Sequence, residues 1–173
     1  MIDEMQFKNL MASVPAPVTV LTTVDLDGPA GATVSAFMSL SLEPPMVVAS
    51  LDNRSSLLAR IQSTGFFGVN ILANGQADTA LTFARRAEDR FSTVSWSVDR
   101  GLPRLDGVSG WIVCELAVAV PGGDHSLLLG HVRHAVNTDI APMVYSHRLF
   151  GTNSELVRRN RGSLADQLAA FAR

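Results

Sequence analysis

The chain has 173 residues, of which 47% are hydrophobic and 17% are charged, and this length suits a single domain with a sizeable core. Its 14 basic and 16 acidic side chains are mixed along the chain and give a net charge of −2, which excludes a basic surface for nucleic acid. The charged fraction lies below the usual value of about 25%, so we expect a second buried surface and therefore a homodimer.

The first two predicted elements are a short helix and a strand. Over residues 4–13, Phe7, Leu10 and Met11 recur at helical spacing and form one apolar stripe. Residues 18–24 are rich in β-branched side chains and are followed by the turn residues Asp27, Gly28 and Gly31. We therefore expect an amphipathic helix that leads into a strand and a turn.

The next predicted strand, residues 33–42, carries hydroxyl groups on one face. Alternate side chains of a strand point to opposite faces. The even positions from Val34 to Leu42 are all apolar, which predicts a face that packs on the core. The odd positions carry no charge, and they are Thr33, Ser35, Phe37, Ser39 and Ser41. Such a row suits the polar edge of an uncharged heterocycle, although by itself it is more typical of a Ser/Thr ladder on an exposed strand.

A short apolar strand over residues 46–51, predicted to be buried on both faces, leads into a helix that begins at Ser55 or Ser56. The first N–H groups of a helix have no intrahelical partner and carry partial positive charge, so they bind phosphate well. Asn53 and the two serines add donors there, and Arg54 adds charge. Ordinary N-capping explains the same residues, and neither a Walker loop nor a G-x-G-x-x-G motif is present.

A second helix is predicted over about residues 76–87, and basic side chains lie at its end. Arg85 and Arg86 in the last turn complement the helix dipole. Arg90 lies beyond the periodic part, beside Phe91, and we expect it to fold over a bound phosphate as a bidentate donor.

Two long apolar strands, residues 111–120 and 126–136, are joined by a predicted hairpin that carries Asp124 and His125. At the tip of a hairpin the imidazole is well placed to donate a hydrogen bond to a ligand. Cys114, the single cysteine, is in phase with apolar neighbours and is predicted to be a small buried side chain rather than a nucleophile. With one cysteine and no H-E-x-x-H motif, we expect no metal site.

The remaining segments complete a mainly β pattern. Strands are predicted over residues 66–72 and 143–145, residues 88–108 are irregular with short extended pieces, and Ser163 can cap a final helix in the Arg-rich tail. Six or more strands joined mostly by hairpins, with few helices, favour an antiparallel barrel with peripheral helices. No signal peptide and no membrane-spanning run is recognisable, so we expect a cytoplasmic protein.

Several of these segments occur in the order seen in one family, namely Thr33-Val34-Ser35-Ala36-Phe37, Ser41-Leu42-Glu43-Pro44-Pro45, Asn53-Arg54-Ser55-Ser56, Phe67 to Leu72, Gly123-Asp124-His125 and Pro142-Met143-Val144-Tyr145. The chain resembles the short-chain flavin reductases, FMN-binding split-barrel proteins that supply reduced flavin to two-component monooxygenases. The resemblance covers about residues 7–151. It implies a six-stranded antiparallel, Greek-key-like split barrel over residues 1–152, a helical tail over residues 153–173, and a dimer with flavin in a groove near the interface.

The resemblance also implies which residues bind the flavin, and they are Thr33, Val34, Ser35, Ala36, Phe37, Ser39, Ser50, Leu51, Asp52, Asn53, Ser55, Ser56, Arg90, Phe91 and Tyr145. Residues 33–37 would line the ring and the ribityl chain, and residues 50–52 would present backbone groups along the same flavin. The 53–56 segment would hold the phosphate, with Arg90 and Phe91 closing over it.

The activity implied by the resemblance is hydride transfer from NADH or NADPH to FMN or FAD. His125 would contact the nicotinamide, and Tyr145 would lie near the flavin ring or the pyridine nucleotide. Such a reaction requires two rings stacked at about 3–3.5 Å rather than a strong acid or base. Three alternatives remain open: a non-enzymatic flavin-binding module, a reductase of a ferric chelate, corrinoid or quinone, and a structural interaction barrel.

Overall fold

A computed structural model describes residues 2–85 and 89–152, and within these ranges the chain forms three helices and twelve strands. The helices are α1 (Glu4–Ser13), α2 (Ser56–Thr64) and α3 (Ala77–Ala84). The strands are β1 (Ala16–Pro17), β2 (Thr19–Asp25), β3 (Gly28–Val34), β4 (Phe37–Leu42), β5 (Pro45–Asp52), β6 (Phe66–Ile71), β7 (Trp96–Asp99), β8 (Leu102–Leu105), β9 (Gly110–Gly122), β10 (His125–Asn137), β11 (Val144–Ser146) and β12 (Leu149–Gly151).

The main sheet is antiparallel throughout and has seven strands in the order β3-β2-β6-β9-β10-β5-β4. A small sheet, β1-β11-β12, and the β7-β8 hairpin lie outside it. The predicted class, mainly β and antiparallel with peripheral helices, is confirmed, although the main sheet has seven strands where six were expected. The additional strand arises because the predicted 33–42 strand contributes to two strands of the sheet, β3 and β4.

The two edge strands of the main sheet, β3 and β4, are joined by only two residues, Ser35 and Ala36. In a flat sheet of seven strands the edges would lie about 29 Å apart, since neighbouring strands are spaced by about 4.8 Å. A two-residue link spans at most about 10 Å. The sheet therefore has to curl until its edges nearly meet, and the Ser50 amide donates a 3.0 Å hydrogen bond to the Ala36 carbonyl at that point.

The structure corrects the prediction of one strand over residues 33–42. Val34 is buried at the end of β3, whereas Met38 and Leu42 are 59% and 82% exposed on β4, so the even positions do not share a core-facing side. A register shift between Ser39 and Ser41 interrupts the alternation as well. A two-residue period describes neither a change of strand nor a bulge, which is why the pattern was misleading here.

The strand predicted over residues 46–51 also differs from expectation. Within β5, Val47, Ala49 and Leu51 are buried, but the alternate side chains are half-exposed, so the strand is buried on one face only. The outer face of β5 is only partly covered. Helix α1 matches its predicted bounds, yet none of its residues is buried. The predicted tail helix beyond residue 152 lies outside the described residues.

Two clusters of buried side chains form the core. The inner core lies on the concave side of the sheet, where Leu21, Phe67 and Leu128 pack against Leu58 and Ile61 of α2. The outer core lies behind β2, β6 and the start of β9, and its members are Val18, Val20, Leu72, Ala80, Phe83, Leu102, Leu105, Val108, Trp111, Val113 and Met143. Strands β2 and β6 and the start of β9 are therefore packed on both faces.

Asn70 attaches the β7-β8 hairpin to this covered half. Its side chain is fully buried, donates to the Val20 carbonyl at 3.2 Å and accepts from the Leu105 amide at 2.8 Å. Because a buried amide without a partner is costly, these bonds hold the hairpin against the sheet, together with the one that the Thr22 hydroxyl donates to the Pro103 carbonyl at 2.7 Å. The hairpin in turn closes the back of the outer core.

Candidate active site

A cleft of about 1040 Å³ opens between β3, the start of α2 and the end of α3. Residues 29–33 of β3 form one wall, and residues 54–57 with Arg60 form another. Asp52, Phe83, Ala84, Arg90 and Phe91 complete the lining. The cleft therefore lies where the sequence analysis placed the phosphate-binding helix start, next to the hydroxyl-bearing segment.

The β3 wall is flat because its side chains are small. A Cβ atom at Gly31 would stand 3.0 Å from Phe83 Cε1 and 3.1 Å from the Leu21 carbonyl oxygen, so the strand and α3 are packed as closely as glycine allows. The hydroxyl of Thr33 donates to the Ala80 carbonyl at 2.7 Å. Gly31, predicted to be part of a turn, is thus a strand residue, and the turn lies before Gly28.

The start of α2 presents donors to the cleft. Ser55 is the N-cap residue with extended φ and ψ angles, but its hydroxyl makes no capping hydrogen bond. The first N–H groups of a helix have no intrahelical acceptor. Ser55 and Ser56 both line the cleft, as predicted for a phosphate site. The two serine hydroxyls and the helix dipole together favour an anion at this place.

The charged side chains around the cleft favour an anion as well. Arg54, Arg60 and Arg90 line it, and Asp52 is the single acidic residue among the lining residues. Arg54 binds the Asp52 carboxylate through two nitrogens, at 2.8 and 3.1 Å, and thereby holds the pKa of that carboxyl well below its usual range. The Asp25 carboxylate forms an ion pair with Arg60 in the same way, although Asp25 does not line the cleft.

Arg90 retains an unused donor. Its Nη1 donates to the Gly31 carbonyl at 2.5 Å, which fixes the guanidinium over the small-residue wall. Its Nε is buried and has no partner among the described residues. A buried donor without an acceptor is destabilising, so the Nε of Arg90 is an unsatisfied group beside the cleft.

Residues 33–37 and 50–52, both predicted to lie along the flavin, are adjacent in the structure through the hydrogen bond between Ser50 and Ala36. Ser35 and Ala36 are exposed. Val34 and Leu51 have side chains in the inner core, at 6% and 5% exposure, and therefore offer only backbone groups to a ligand. Phe37 packs partly against the same core.

The hairpin that carries His125 turns through Gly123 and Asp124. His125 pairs across the sheet with Asp52, which brings the imidazole to the edge of the cleft region. Its Nδ1 lies 2.8 Å from Asp124 Oδ1, and this contact lowers the pKa of the Asp124 carboxyl. The side chain of His125 is 44% exposed and so is open to a ligand.

Asn53 is not among the residues that line the cleft, although it was predicted to hold the phosphate. Its side chain turns to the hairpin instead, donating from Nδ2 to the Gly123 carbonyl at 3.2 Å and accepting from the Ser126 hydroxyl at 2.8 Å. Its backbone amide donates to the Asp124 carbonyl at 3.0 Å. The polar groups of Asn53 are therefore used to hold the hairpin.

Eight further predicted residues are not among those that line the cleft, and they are Val34, Ser35, Ala36, Phe37, Ser39, Ser50, Leu51 and Tyr145. Tyr145 belongs to the small sheet, where it pairs with Ala16 and stacks at a tilt on Phe150 with ring centroids 5.3 Å apart. Ser39 is exposed on β4 and pairs with Val47. Within one chain, neither side chain reaches the cleft lining.

The sequence analysis assigned Arg90 and Phe91 to the site but missed Phe83 and Arg60, which also line the cleft. Phe83 packs edge-to-face on Phe91 at 5.0 Å, and Phe91 packs in the same way on Trp96 at 5.2 Å. Arg60 was overlooked because it lies within a helix whose apolar stripe accounted for the pattern. The usable signal was the run of small residues 29–32, which is unusual for a strand and marks a close approach of backbone to another group.

Cys114 is fully buried, and this burial raises the pKa of its thiol to about 12, which confirms the prediction of an unreactive apolar side chain. The described residues contain no group of three side chains suited to hold a metal ion. None of the helices in the described ranges combines the length and the apolar character needed to cross a membrane.

Comparison with known proteins matches residues 11–154 to a family described as the flavin reductase like domain. A probable flavin reductase of Rhizobium meliloti is 36% identical over 131 residues, 75% of this chain and 42% of that protein. The chain thus spans less than half the length of this relative. The reductase subunit of a flavin-dependent monooxygenase from Rhodococcus jostii is 36% identical over 132 residues, 76% of this chain and 68% of that one.

Solved structures give the same picture. An NADH:FAD oxidoreductase of Streptomyces globisporus, determined in complex with NAD and FAD fragments, superposes with a TM-score of 0.83 at 29% identity. The match covers 93% of this chain and 95% of the Streptomyces chain.

Proposed function

Because the chain belongs to the flavin reductase like family, we propose that it transfers hydride from NADH or NADPH to FMN or FAD. The observation that carries the proposal is the combination in one cleft of an anion-binding helix start with a flat, uncharged strand wall, beside a hairpin that carries a histidine. The family relationship and the cleft chemistry are independent of each other, and both favour a phosphorylated aromatic ligand.

The donors of the cleft fit a flavin phosphate. Ser55, Ser56 and the first N–H groups of α2 would hold it, and Arg90 lines the same cleft. The backbone of residues 33–37 and 50–52 would lie along the ring. When bound, the flavin supplies the acceptor for the hydride.

The protein's own task is to orient the nicotinamide and to exclude water from the reacting rings. The Asp124 carboxylate accepts a hydrogen bond from Nδ1 of His125. This bond holds the ring in one orientation and leaves Nε2 for a ligand. Hydride transfer moves no proton through the protein, so an orienting group of this kind is sufficient.

We further propose that the reduced flavin is passed to a partner monooxygenase, as the name of the Rhodococcus relative indicates for that protein. Release requires modest affinity. The exposed Ser35-Ala36 link offers neutral hydrogen bonds, each contributing about 0.5–1.5 kcal/mol, and this suits a flavin that has to leave.

A homodimer is part of the proposal. Cross-strand pairs place Met38, Val118, Val120 and Leu127 on one outer face of β4, β5, β10 and β9, and their exposed fractions are 59, 47, 38 and 38%. We define these four side chains as the open face. Since side chains two residues apart share a face, His125 lies on the same side as Leu127. A second copy of the chain that covers the open face would therefore border the nicotinamide position.

Anaerobic mixing of the protein with NADH or NADPH and added FMN or FAD tests the activity through loss of the flavin absorbance. We expect bleaching, and we expect His125→Ala to raise KM for the nicotinamide or to lower the rate about tenfold, while the Kd for flavin stays within twofold. His134→Ala, on the same strand outside the cleft lining, is the matched control and should behave as wild type.

The alternatives give different results in the same experiment. Flavin binding without oxidation of NADH or NADPH would favour a storage module, and protein that binds no flavin would favour a structural barrel. Reduction of a ferric chelate, corrinoid or quinone with free flavin withheld would change the acceptor but keep the enzyme class.

A further inference from the structure

The segment between β5 and α2 contacts both the cleft and the β9-β10 hairpin. Ser55 faces the cleft, whereas Asn53, two residues earlier, is turned toward the hairpin. The segment is short and internally braced, because the Ser55 amide donates to the Asp52 carbonyl at 2.8 Å. Any displacement of Asn53 is therefore coupled to the start of α2.

The β5-β10 ladder holds the hairpin as far as His125, and Asn53 supplies the hydrogen bonds that hold the two turn residues beyond it. Among the described residues, every hydrogen bond from outside the hairpin to Gly123 or Asp124 comes from Asn53: its amide to the Asp124 carbonyl and its Nδ2 to the Gly123 carbonyl. The Ser126 hydroxyl then holds the Oδ1 of the same carboxamide. Gly123 and Asp124 are themselves exposed, with φ of Gly123 at +71°, so they add no packing of their own.

We propose that Asn53 is a positioning residue for hydride transfer, which clasps the hairpin to the start of α2 and so sets the place of the His125 imidazole relative to the flavin. The inference rests on the proposed function of His125. It replaces the expectation that Asn53 holds the phosphate, because the contacts of its side chain are with the hairpin.

The two side-chain hydrogen bonds of Asn53 require a carboxamide. Asn53 donates at Nδ2 and accepts at Oδ1 within one planar group, and Gly123 and Ser126 use these two functions separately. Aspartate would keep the acceptor but lose the donor, and it would add a negative charge beside Asp52 and Asp124. An apolar side chain would provide neither function.

Asn53→Ala tests the clasp directly. We expect KM for NADH to rise, or the single-turnover rate of hydride transfer to fall, by about tenfold, since two hydrogen bonds are lost. The Kd for FMN, measured by fluorescence quenching, should stay within twofold. Asn74→Ala is the matched control. Asn74 is an exposed loop residue that forms a hydrogen bond through its backbone amide, which the substitution keeps, so this variant should match wild type in all three constants.

A double-mutant cycle distinguishes positioning from a general loss of structure. If Asn53 acts through His125, then Asn53→Ala should change neither KM nor the rate further in a His125→Ala background. Additive effects of the two substitutions would overturn the inference. A weaker Kd for FMN with unchanged nicotinamide constants would also overturn it, because that result assigns Asn53 to the phosphate.

Ser126→Ala provides the milder variant if Asn53→Ala fails to fold. It removes only the hydroxyl that holds the carboxamide, so we expect a change of about threefold in the same constants. The two proposals fail differently. Wild-type protein that leaves NADH unoxidised in the presence of flavin would refute the function and this inference together, whereas active wild type with an Asn53→Ala variant that matches Asn74→Ala would refute the inference alone.

Discussion

The two halves of the main sheet differ in what covers their outer faces. In the half formed by β3, β2, β6 and the start of β9, the outer face is packed beneath α3 and the β7-β8 hairpin, with Trp111 fully buried. In the half formed by β4, β5, β10 and the end of β9, the outer face carries the open face, with Val118 47% exposed. The inner faces of both halves contribute to one shared core.

One half of the sheet therefore presents a packed outer face, and the other presents apolar side chains that are exposed in the single chain. The covered half is packed on both faces, and its strand β3 forms one wall of the cleft. The second half carries His125 and the hairpin next to apolar side chains that water surrounds in the single chain. A site built between the two halves thus has one rigid side and one side that a second copy would complete.

The largest effect is expected where the covered half is packed most closely. A Cβ atom at Gly68 would lie 2.2 Å from Trp111 Cη2 and 2.7 Å from the Thr22 hydroxyl oxygen, and both neighbours are fully buried. We expect Gly68→Ala to lower the free energy of unfolding by about 3 kcal/mol, because the indole has no space into which to move. Denaturant unfolding of the purified protein measures the loss.

Gly151→Ala is the matched control for that substitution. A Cβ atom at Gly151 meets no atom within 4 Å, and we expect a change in the free energy of unfolding below about 0.5 kcal/mol. Gly151 lies in the small sheet, so equal losses in the two variants would contradict the close packing of Gly68 against Trp111.

The open face gives the next largest effect. Val118→Lys places a charge in the middle of this face, and an unpaired charge at a buried interface is costly. We expect at least a tenfold weaker homodimer by sedimentation, with the unfolding of the monomer little changed. Val98→Lys introduces the same charge at a site that is 68% exposed on β7, and that variant should dimerise as wild type does. If the wild-type protein sediments as a monomer, the proposed homodimer is refuted.

The smallest effect is expected at Cys114, within the core. Burial raises the pKa of its thiol to about 12, so at pH 8 the group is both protonated and out of contact with water. We expect no reaction of the folded protein with a disulfide thiol reagent over an hour, and one equivalent after unfolding. Rapid reaction of the native thiol would show that the covered half opens readily.

The sequence predicted local structure well wherever one rule decided it. Helix α2, for example, begins at the expected serines and ends at Gly65, whose φ of +74° marks the left-handed cap. The β9-β10 hairpin likewise followed from two apolar runs with a Gly-Asp turn between them. These are features in which neighbouring residues alone determine the backbone.

Features that depend on distant contacts could not be predicted in this way. The alternation over residues 33–42 was real, but the chain passes from one sheet edge to the other at Ser35, and no local pattern marks such a transfer. Asn53 was assigned to a ligand because its position before a helix allows that role. Only the placement of the hairpin, 70 residues away along the chain, shows that the carboxamide is already engaged.

The two-residue link between β3 and β4 also limits how this chain can vary. Most connections between strands tolerate added residues, since longer loops cost little entropy. At Ser35-Ala36 each added residue would relax the seam that keeps the sheet curled, and it would move the backbone proposed to lie along the flavin. Length at this single point is therefore an architectural constraint and, on the proposed function, a functional one as well. A protease that cut there would open the barrel and dismantle the proposed binding groove in one event.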